Sequence, residues 1–475
     1  MISPTCRATS RIGRALGALA ILLPLLSGCA GEAPQAARDS RPNVVFILVD
    51  ALRPDRLGCY GYERPTSPTL DGLASKGAVF TDVMAQAAET MVSVPALLTG
   101  RYPREHGLVW LRESGEVLVG AELRVPTIAE ILRDNGYDTA AVSANPLISP
   151  ESGVAKGFDT FDHSCGLPSV WRRTTAAEVN ARAYPLLEGW GSARRPFFLY
   201  LHYMDPHNAY RPPSAFCVFG RPGYTARDDE INAVTNDMVE REGTVGLTDE
   251  RLAERKLTRR DIARLSDLYD GEVLCADHYL GELLGRLKQL GLYDNTIIII
   301  TADHGEAFLE HESVKHGGTL YQEAVRVPLI IAGPGIRPGR RITGLVELND
   351  LAPTILAAAG VETGIEMSGR NMLPALTGRA HLEARPAMAE LPAHGAHALR
   401  VGDLKLISSP DRIELYDLSQ DPREVVDLAG AHPETVAHLR QLLDETLAEH
   451  PAAPPLLGSA TDREKDALRS LGYLK

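Results

Sequence analysis

The sequence lacks several features that would assign it to a class at once. Its six cysteines contain no C-x-x-C pair, which argues against a zinc ribbon or a thioredoxin-type motif. There is no internal repeat, and no apolar run beyond the first 28 residues is long enough to cross a membrane. Positive charge is also scarce, because 49 Lys and Arg face 62 Asp and Glu and leave a formal charge of -13. We therefore expect no nucleic-acid partner.

The length and composition instead indicate a globular protein with a large core. The chain has 475 residues, of which 44% are hydrophobic and 23% charged. A chain of this size is expected to form one large domain and a smaller one.

The first residues have the pattern of an export signal. Residues 1–28 start with three arginines and no acid, and continue with an apolar stretch too short to span a bilayer comfortably. They end in Leu26-Ser27-Gly28-Cys29, which resembles the bacterial lipobox, in which the cysteine is lipidated; an ordinary cleavage site is the alternative. Residues 29–41 then form a tether. We expect a lipid-anchored protein of the cell envelope, at the outer membrane or the periplasmic face in a Gram-negative cell.

Two apolar runs predict buried strands that end in metal-binding residue types. Residues 297–306 read IIIITADHGE, a β-branched run followed by Asp303 and His304. Residues 43–49 read NVVFILV and are followed by Asp50. In α/β sheets ligand sites lie at the carboxyl ends of the strands, where carboxylates and an imidazole suit a divalent cation.

A third strand and a helix are expected to bring further polar residues to the carboxyl ends of these strands. Residues 197–203, FFLYLHY, form a strand followed by Asp205 and His207, and His202 within it is expected to pack. Residues 95–99 predict a helix with Ser93 as its N-cap. Thr90 would then lie just before a helix N-terminus, where backbone N–H groups favour an anion.

The remaining segments predict an alternating α/β domain and a change of character near its end. Residues 139–143 and 326–333 read as strands, and residues 68–76, 127–135, 261–290 and 350–359 as helices. Residues 216–260 are polar and read as a partly helical insertion over the site. From residue 385, antiparallel strands at 397–407 and 412–417 and a helix at 434–449 indicate a small α+β domain.

Five motifs together resemble the sulfatase family of the alkaline phosphatase superfamily. They are ILVDALRPDRLGCYG, LLTGRYPREHG, MDPH, NTIIIITADHGE and GDLKLI…ELYDLSQDPRE, and the likeness covers residues 41–428. The resemblance implies a large, mostly parallel mixed sheet sandwiched by helices in residues 42–384, and a small C-terminal α+β domain with a tail in residues 385–475. It also implies that Asp50, Asp303 and His304 bind the metal.

The nucleophile position departs from the family pattern. Sulfatases carry a Cys or Ser that is oxidised to formylglycine within C/S-x-P-x-R. Counting back from Leu97-Leu98-Thr99-Gly100 places Thr90 at this position, and threonine cannot become an aldehyde. Related phosphodiesterases and lipoteichoic acid synthases use threonine, so we expect an unmodified Thr90 and no formylglycine. The other register, on Ser93-Val94-Pro95, has Leu97 in place of the arginine and a spacing three residues short.

Other departures and matches concern the substrate side. Asp50 is followed by Ala51 where many sulfatases have a second Asp, and Asn145 lies near where they have a Lys and a His. The resemblance assigns His207 and His316 to oxyanion stabilisation or leaving-group protonation. Substrate-side roles are further assigned to Asn145 and Lys315, and to Arg101 either as a supporting residue or as a salt-bridged loop residue. Alternatively, Asp205, His207 and His316 hold a second metal.

The sequence thus predicts a metal-dependent hydrolase of sulfate or related esters. One divalent ion (Ca²⁺, Mg²⁺, Mn²⁺ or Zn²⁺), also bound by the Thr90 hydroxyl, would activate that hydroxyl as the nucleophile. The substrate would be a small-molecule, glycan or lipid ester. The alternatives are a phosphodiesterase or phosphotransferase acting on an envelope glycan or lipid, and a catalytically silent binding lipoprotein.

Overall fold

The computed structural model describes residues 40–113, 116–120, 123–166, 175–192, 195–221, 224, 227–454, 457–459, 462 and 465. The predicted signal peptide, Cys29 and all but the last two residues of the predicted tether lie outside these residues. Arg41, assigned to the tether, donates a hydrogen bond to the Asn135 carbonyl at 2.8 Å, so this residue is bound to the folded domain.

The described residues alternate between strands and helices along most of the chain. The strands are β1 (Asn43–Val49), β2 (Ala78–Phe80), β3 (Val83–Met84), β4 (Trp110–Glu113), β5 (Glu116–Gly120), β6 (Asp138–Ser143), β7 (Thr160–Asp162), β8 (Phe197–Tyr203), β9 (Thr296–Thr301), β10 (Ala307–Phe308), β11 (Val314–Lys315), β12 (Leu329–Ala332), β13 (Arg340–Ile342), β14 (Val346–Glu347), β15 (Ala387–Leu391), β16 (Ala396–Val401), β17 (Leu404–Ser408), β18 (Ile413–Asp417) and β19 (Leu457–Ser459). The α-helices are α1 (Pro68–Lys76), α2 (Thr90–Thr99), α3 (Pro103–His106), α4 (Ile128–Asp134), α5 (Ala176–Gly191), α6 (Asp228–Glu242), α7 (Asp249–Glu254), α8 (Arg259–Gln289), α9 (Gln322–Val325), α10 (Leu351–Ala358), α11 (Leu373–Leu376) and α12 (Pro433–Glu449).

The core is an eight-stranded sheet in the order β13-β2-β12-β9-β1-β8-β6-β7. All neighbouring strands are parallel except β12, which runs antiparallel to both β9 and β2. The predicted mixed, mostly parallel sheet is therefore confirmed. Its central strands β1, β8 and β9 are buried along their whole length, as continuous apolar runs require.

Helix α8 matches the predicted long helix and anchors its neighbours. Its N-cap Thr258 accepts a hydrogen bond from the N–H of Asp261, which begins the helix. From its middle, the Asp277 carboxylate accepts hydrogen bonds from the N–H groups of Thr69 and Leu70 at 2.9 and 2.8 Å, so α8 caps the start of α1. None of the helices in the described part of the chain is long and apolar enough to cross a membrane.

Two predicted elements have different bounds. Helix α2 begins at Thr90 with Glu89 as its N-cap residue, so the prediction of Ser93 as N-cap is wrong. Pro95 lies inside the helix, where its missing N–H removes one bond, to the carbonyl of Met91, in the second turn. The predicted strand at 397–407 is two strands, β16 and β17, which turn at Gly402 with φ of 59°.

The C-terminal residues form a four-stranded antiparallel sheet, β15-β16-β17-β18, which confirms the predicted small α+β domain. One face carries Leu399 and Leu406 and packs under Leu439 of α12. The other face carries Ile407, which packs in one cluster with Val325 of the large domain. Because side chains alternate between the two faces along each strand, one face of this sheet packs against α12 and the other against the large domain.

Candidate metal centre and active site

Four strands of the main sheet end at the same edge and place polar side chains there. Asp50 follows β1, Asn145 lies two residues beyond β6, Asp205 two residues beyond β8 and Asp303 two residues beyond β9. The parallel register sets Leu48 opposite Thr301 and Val49 opposite Tyr203, so these ends lie side by side. The predicted convergence of Asp50, Asp303 and His304 is observed, and all three side chains are fully buried.

The two carboxylates direct one oxygen each towards His304. The Oδ1 atom of Asp50 lies 3.6 Å from Nε2 of His304, and the Oδ2 atom of Asp303 lies 3.4 Å from it. Neither oxygen accepts a hydrogen bond from the described residues. The other oxygen of Asp303 accepts from the N–H groups of Ala51 and His304 at 3.4 and 3.1 Å, which fixes the carboxylate plane.

Thr90 lies at the same point. Its Oγ1 atom is 3.1 Å from Nε2 of His304, and its side chain is fully buried in the first turn of α2. The Nδ1–H of His304 is bonded to the carbonyl of Gly305 at 2.9 Å, which leaves Nε2 with a lone pair facing Thr90. One turn further along α2, Ser93 donates to the main-chain carbonyl of Asp303 at 2.7 Å and joins the helix to the end of β9.

His202 is a site residue that the sequence prediction missed, because it was expected only to pack. Its Nε2 lies 3.0 Å from Oδ2 of Asp50, which also accepts from Nδ2 of Asn145 at 2.7 Å. Its Nδ1 accepts from the Tyr200 hydroxyl at 3.0 Å, and burial raises the pKa of that phenol well above its usual value. His202 therefore holds Asp50 with its Oδ1 atom directed at the site.

Two sets of metal ligands can be compared: Asp50 and Asp303 with His202, or Asp50 and Asp303 with His304. One ligand atom each of Asp50, His202 and Asp303 lie within 4.8 Å of one another. Nε2 of His202 is bonded to Asp50, a contact that fits an orienting role, whereas Nε2 of His304 faces one oxygen of each carboxylate. Partners of this kind fix and tune metal ligands in many proteins.

The electrostatics at this edge favour a cation. Burial works to raise the pKa of Asp50, but the charges of His207 and His304, which are protonated at the acidic pH where Asp50 titrates, and the hydrogen bond from His202 hold it well below its usual range. Burial and then the Asp50 charge raise the pKa of Asp303. Two carboxylates that are buried together repel each other, and a cation between them relieves both the repulsion and the desolvation.

The residues present fit a divalent ion. A compact group of oxygen and nitrogen donors is formed by Nε2 of His304, the Thr90 hydroxyl and the two carboxylate oxygens that lack a hydrogen-bond partner in the described part of the chain. The separations of 3.1 to 3.6 Å from Nε2 to the other three atoms are close to the ~3 Å expected between ligands on one small cation.

A second group of titratable side chains adjoins the first. The His316 ring lies 4.2 Å from the His304 ring and 4.8 Å from the His207 ring, measured between centroids. Nδ1 of His316 is 2.9 Å from Oε1 of Glu306, a fully buried residue that was not singled out from the sequence. Burial lowers the pKa of His207 to about 4 and that of His316 well below its usual value, so both rings are neutral near pH 7.

Family comparison agrees with this geometry. A family model described as Sulfatase matches residues 42–361, about two thirds of the chain. The chain belongs to the sulfatase family. A second family model, described as N-sulphoglucosamine sulphohydrolase, C-terminal, matches residues 315–452. The chain is therefore a sulfatase-family hydrolase with an alkaline-phosphatase-like fold, and sulfatases are metal-dependent enzymes.

Similar proteins align over most of their length. An N-acetylglucosamine-6-O-sulfatase of Bacteroides thetaiotaomicron is 26% identical over 90% of this chain and 91% of its own. Arylsulfatase K of Bos taurus is 26% identical over 90% of this chain and 86% of its own. Among solved structures, a 2-O GAG sulfatase has a TM-score of 0.69 at 21% identity, covering 89% of this chain and 96% of its own. The phosphonate monoester hydrolase of Silicibacter pomeroyi has a TM-score of 0.69 at 24% identity, covering 89% and 98%.

The other predicted site residues of this sulfatase-family chain are Asn145, Lys315, Asp205 and Arg101. Asn145 bonds to Asp50, as described, and the Lys315 ammonium donates to Oδ1 of Asn236 in the insertion helix α6 at 2.6 Å. Asp205 accepts from the N–H of Ala176 at 2.7 Å, at the start of α5, which ties one oxygen of the proposed second-metal ligand to a helix N-terminus.

Arg101 is not at the site. It follows the far end of α2, about 15 Å along the helix axis from Thr90. Its guanidinium lies 3.8 Å from the Glu105 carboxylate and 2.5 Å from the carbonyl of Glu366. The alternative of a salt-bridged loop residue therefore describes Arg101, and its assignment to substrate binding is wrong.

Proposed function

We propose that this protein hydrolyses sulfate or closely related esters with an unmodified Thr90 as its nucleophile. The observation that carries the proposal is the position of Thr90 Oγ1, 3.1 Å from His304 Nε2 and beside two carboxylate oxygens that accept no hydrogen bond from the described residues. A divalent ion held by Asp50, Thr90, Asp303 and His304 would supply Lewis-acid stabilisation of the threonine alkoxide and of the ester oxygens.

The roles of the chain's own residues follow from their contacts. Thr90 attacks the sulfur or phosphorus atom of the ester, and water later cleaves the threonine ester to restore the hydroxyl. Nδ1–H of His207 donates to the carbonyl of Asn208 at 2.8 Å, which leaves its buried Nε2 as an acceptor without a partner among the described residues. Neutral His207 is thus suited to take up the proton that Thr90 releases on attack and to pass it to the departing alcohol. In the second step it takes a proton from the attacking water and passes it to the departing Thr90 oxygen.

The relatives support a carbohydrate ester as the substrate. The second family model and the N-acetylglucosamine-6-O-sulfatase carry names that refer to sulfated amino sugars. The insertion brings α6 and its Asn236 to Lys315, so residues 216–260 contribute directly to the surroundings of the site. We propose a sulfated sugar as the first substrate class to test.

The decisive experiment compares Thr90→Ala with Thr90→Ser in purified, metal-supplemented protein. Loss of the nucleophile is expected to reduce kcat by on the order of 10³ or more, whereas serine retains a hydroxyl and part of the activity. Thr99→Ala is the matched control, because the Thr99 hydroxyl donates a hydrogen bond to the Pro95 carbonyl at the other end of α2. Near-full turnover by Thr90→Ala would exclude the proposal, and a parent protein that binds metal but turns over no ester would favour a silent binding protein.

Phosphoryl chemistry is the second candidate, and the nucleophile itself favours it. A sulfatase formylglycine hydrate has a second hydroxyl that can expel the bound group, whereas threonine has a single oxygen, so release needs attack by water on the central atom. The related threonine enzymes act on phosphodiesters. A panel of aryl sulfate, aryl phosphonate and bis-aryl phosphate, run on the same variants, separates the two: the ester with the highest kcat/KM that Thr90→Ala abolishes is the reaction class.

The site of action is proposed from the N-terminal sequence. Leu26-Ser27-Gly28-Cys29 supports lipidation of Cys29 and attachment to the cell envelope. Mass spectrometry of the N-terminal peptide and fractionation of a Cys29→Ala variant test this. An unmodified Cys29, or an unchanged distribution of the variant, would contradict the anchor.

A further inference from the structure

Three arginines form a basic patch on this acidic protein. Arg337 lies in the turn between β12 and β13, Arg340 is the first residue of β13, and Arg379 follows α11. A terminal guanidinium nitrogen of Arg340 and one of Arg337 lie within 3.0 and 3.4 Å of the point where a Cβ on Gly378 would be, so the two side chains converge beside Arg379. We refer to Arg337, Arg340 and Arg379 as the basic patch.

No carboxylate in the described part of the chain forms an ion pair with these three side chains, whereas nearby arginines are paired. Arg370 lies 3.4 Å from Asp350 and Arg385 2.9 Å from Glu347. The Nε atom of Arg340 is buried and has no hydrogen-bond partner among the described residues, while Arg337 and Arg379 are exposed. Like charges held together without a counter-ion favour binding of an anion.

The basic patch lies at the opposite end of the main sheet from Asp50, Thr90 and Asp303. We refer to the end that carries these three residues as the catalytic edge. The turn at residues 333–339 follows the last residue of β12, which pairs with Ile298 near the start of β9, whereas Asp303 lies beyond the end of β9. The six residues of β9 separate the two ends of the sheet by about 20 Å. An ester held at Thr90 therefore does not reach the patch, so we exclude a role in holding the reacting group.

The same end of the sheet receives the chain from its N-terminus. Asn43 opens β1, and four strand spacings separate β1 from β13, a distance of about 20 Å. The predicted tether of residues 29–41 can extend to roughly 40 Å. A lipid on Cys29 can therefore hold the starting end of the sheet, with the basic patch, against a bilayer.

We propose that the basic patch binds the phosphate groups of an anionic membrane and orients the catalytic edge away from that membrane. The orientation, though not the charge of the patch, rests on the proposed anchor at Cys29. Lipid anchors commonly need a second attachment signal, and a basic patch supplies one. With this orientation the site takes its ester from the aqueous side rather than from the lipid surface to which the protein is anchored.

Vesicle binding of the full chain tests the proposal. Affinity is measured for vesicles of phosphatidylcholine alone and of phosphatidylcholine with phosphatidylglycerol, and their ratio cancels any contribution of the apolar N-terminus. Each guanidinium at an anionic surface contributes about fivefold, so R337Q/R340Q/R379Q is expected to lower the ratio by on the order of 100-fold. R337Q/R379Q, which leaves the half-buried Arg340 in place, is expected to lower it about 25-fold.

The matched control removes three exposed arginines that are ion-paired: R133Q/R259Q/R412Q, whose partners are Asp134, Asp249 and Glu414. It carries the same charge change and is expected to alter the ratio far less. An equal ratio for the parent and both patch variants would overturn the proposal. So would loss of binding to heparin, a sulfated glycan, with the vesicle ratio unchanged. A Cys29 without lipid would refute the anchor alone, since the vesicle ratio does not depend on it.

Discussion

Ser93 Oγ donates a 2.7 Å hydrogen bond to the main-chain carbonyl of Asp303, so helix α2 and the loop after β9 are fastened one turn beyond Thr90. Both groups are buried. This contact gives Ser93 a structural role, whereas the alternative register of the family motif would make Ser93 the modified nucleophile.

Ser93→Ala therefore discriminates between the two registers. We expect a loss of about 1 kcal/mol in the free energy of unfolding, because one buried hydrogen bond is removed and the Asp303 carbonyl is left without that donor. We expect kcat to fall by less than tenfold, since Thr90 keeps its position at the start of the helix. Urea unfolding and steady-state kinetics measure the two effects. A loss of activity as deep as that of Thr90→Ala would move the nucleophile to Ser93.

His202 is expected to tune metal affinity without being a ligand. In His202→Phe, Oδ2 of Asp50 keeps its bond from Asn145 but loses the one from His202, and the carboxylate is less firmly oriented. Loss of such a partner typically weakens metal binding by 10- to 100-fold. Titration of metal-free protein followed by calorimetry gives the Kd. Tyr200→Phe is the graded control, because it removes only the outer bond to Nδ1. An unchanged Kd for His202→Phe would remove His202 from the site.

How far the sequence predicts this site depends on which contacts are local. The isoleucine run of β9 and the apolar run of β1 identify buried strands by themselves, and parallel strand ends must meet, so the convergence of Asp50, Asp303 and His304 could be predicted. His202 was not found, because an imidazole inside FFLYLHY resembles a packed residue. Its contact with Asp50 depends on the pairing of β8 with β1, which sets Leu48 opposite His202. No local pattern encodes that register.

The start of α2 shows a second limit. Proline is favoured in the first turn of a helix, so Pro95 predicted a start five residues after the true one. The observed helix tolerates Pro95 because only one intrahelical bond is lost, while all ten residues of the helix, Pro95 included, are buried. Tertiary packing therefore overrides the local preference, and it places Thr90 on the helix instead of before it.

Removal of the metal is expected to destabilise the protein. Without a cation, Asp50 and Asp303 remain buried together with two oxygens lacking hydrogen-bond partners. Dialysis against a chelator should lower Tm and abolish turnover, and back-titration with Ca²⁺, Mg²⁺, Mn²⁺ and Zn²⁺ should identify the ion that restores both. Asp303→Asn, which keeps the size but removes one charge, should lose most of the Tm gained on metal addition. The same Tm for chelated and metal-loaded parent protein would contradict a metal centre of these residues.

His106 is expected to make the fold sensitive to mild acid. It is buried at the end of α3, and burial lowers its pKa from an ordinary 6.5 to about 3. Between these values the unfolded chain binds a proton that the folded chain does not, so stability must fall as the pH falls below 6.5. From pH 6.5 to 5 the loss is about 1.5 kcal/mol in the free energy of unfolding.

The contribution of His106 can be isolated by difference. Nδ1 of His106 accepts a bond from the N–H of Leu108 at 3.1 Å, and His106→Asn keeps an acceptor there but does not titrate in this range. Its urea midpoint should therefore fall less than that of the parent protein between pH 6.5 and 5, whatever the constant cost of the smaller side chain. His438→Asn, on the exposed face of α12, should show the same slope of urea midpoint against pH as the parent protein. Equal slopes for the parent and His106→Asn would mean that His106 takes up its proton in the folded state, through an opening of α3 towards solvent.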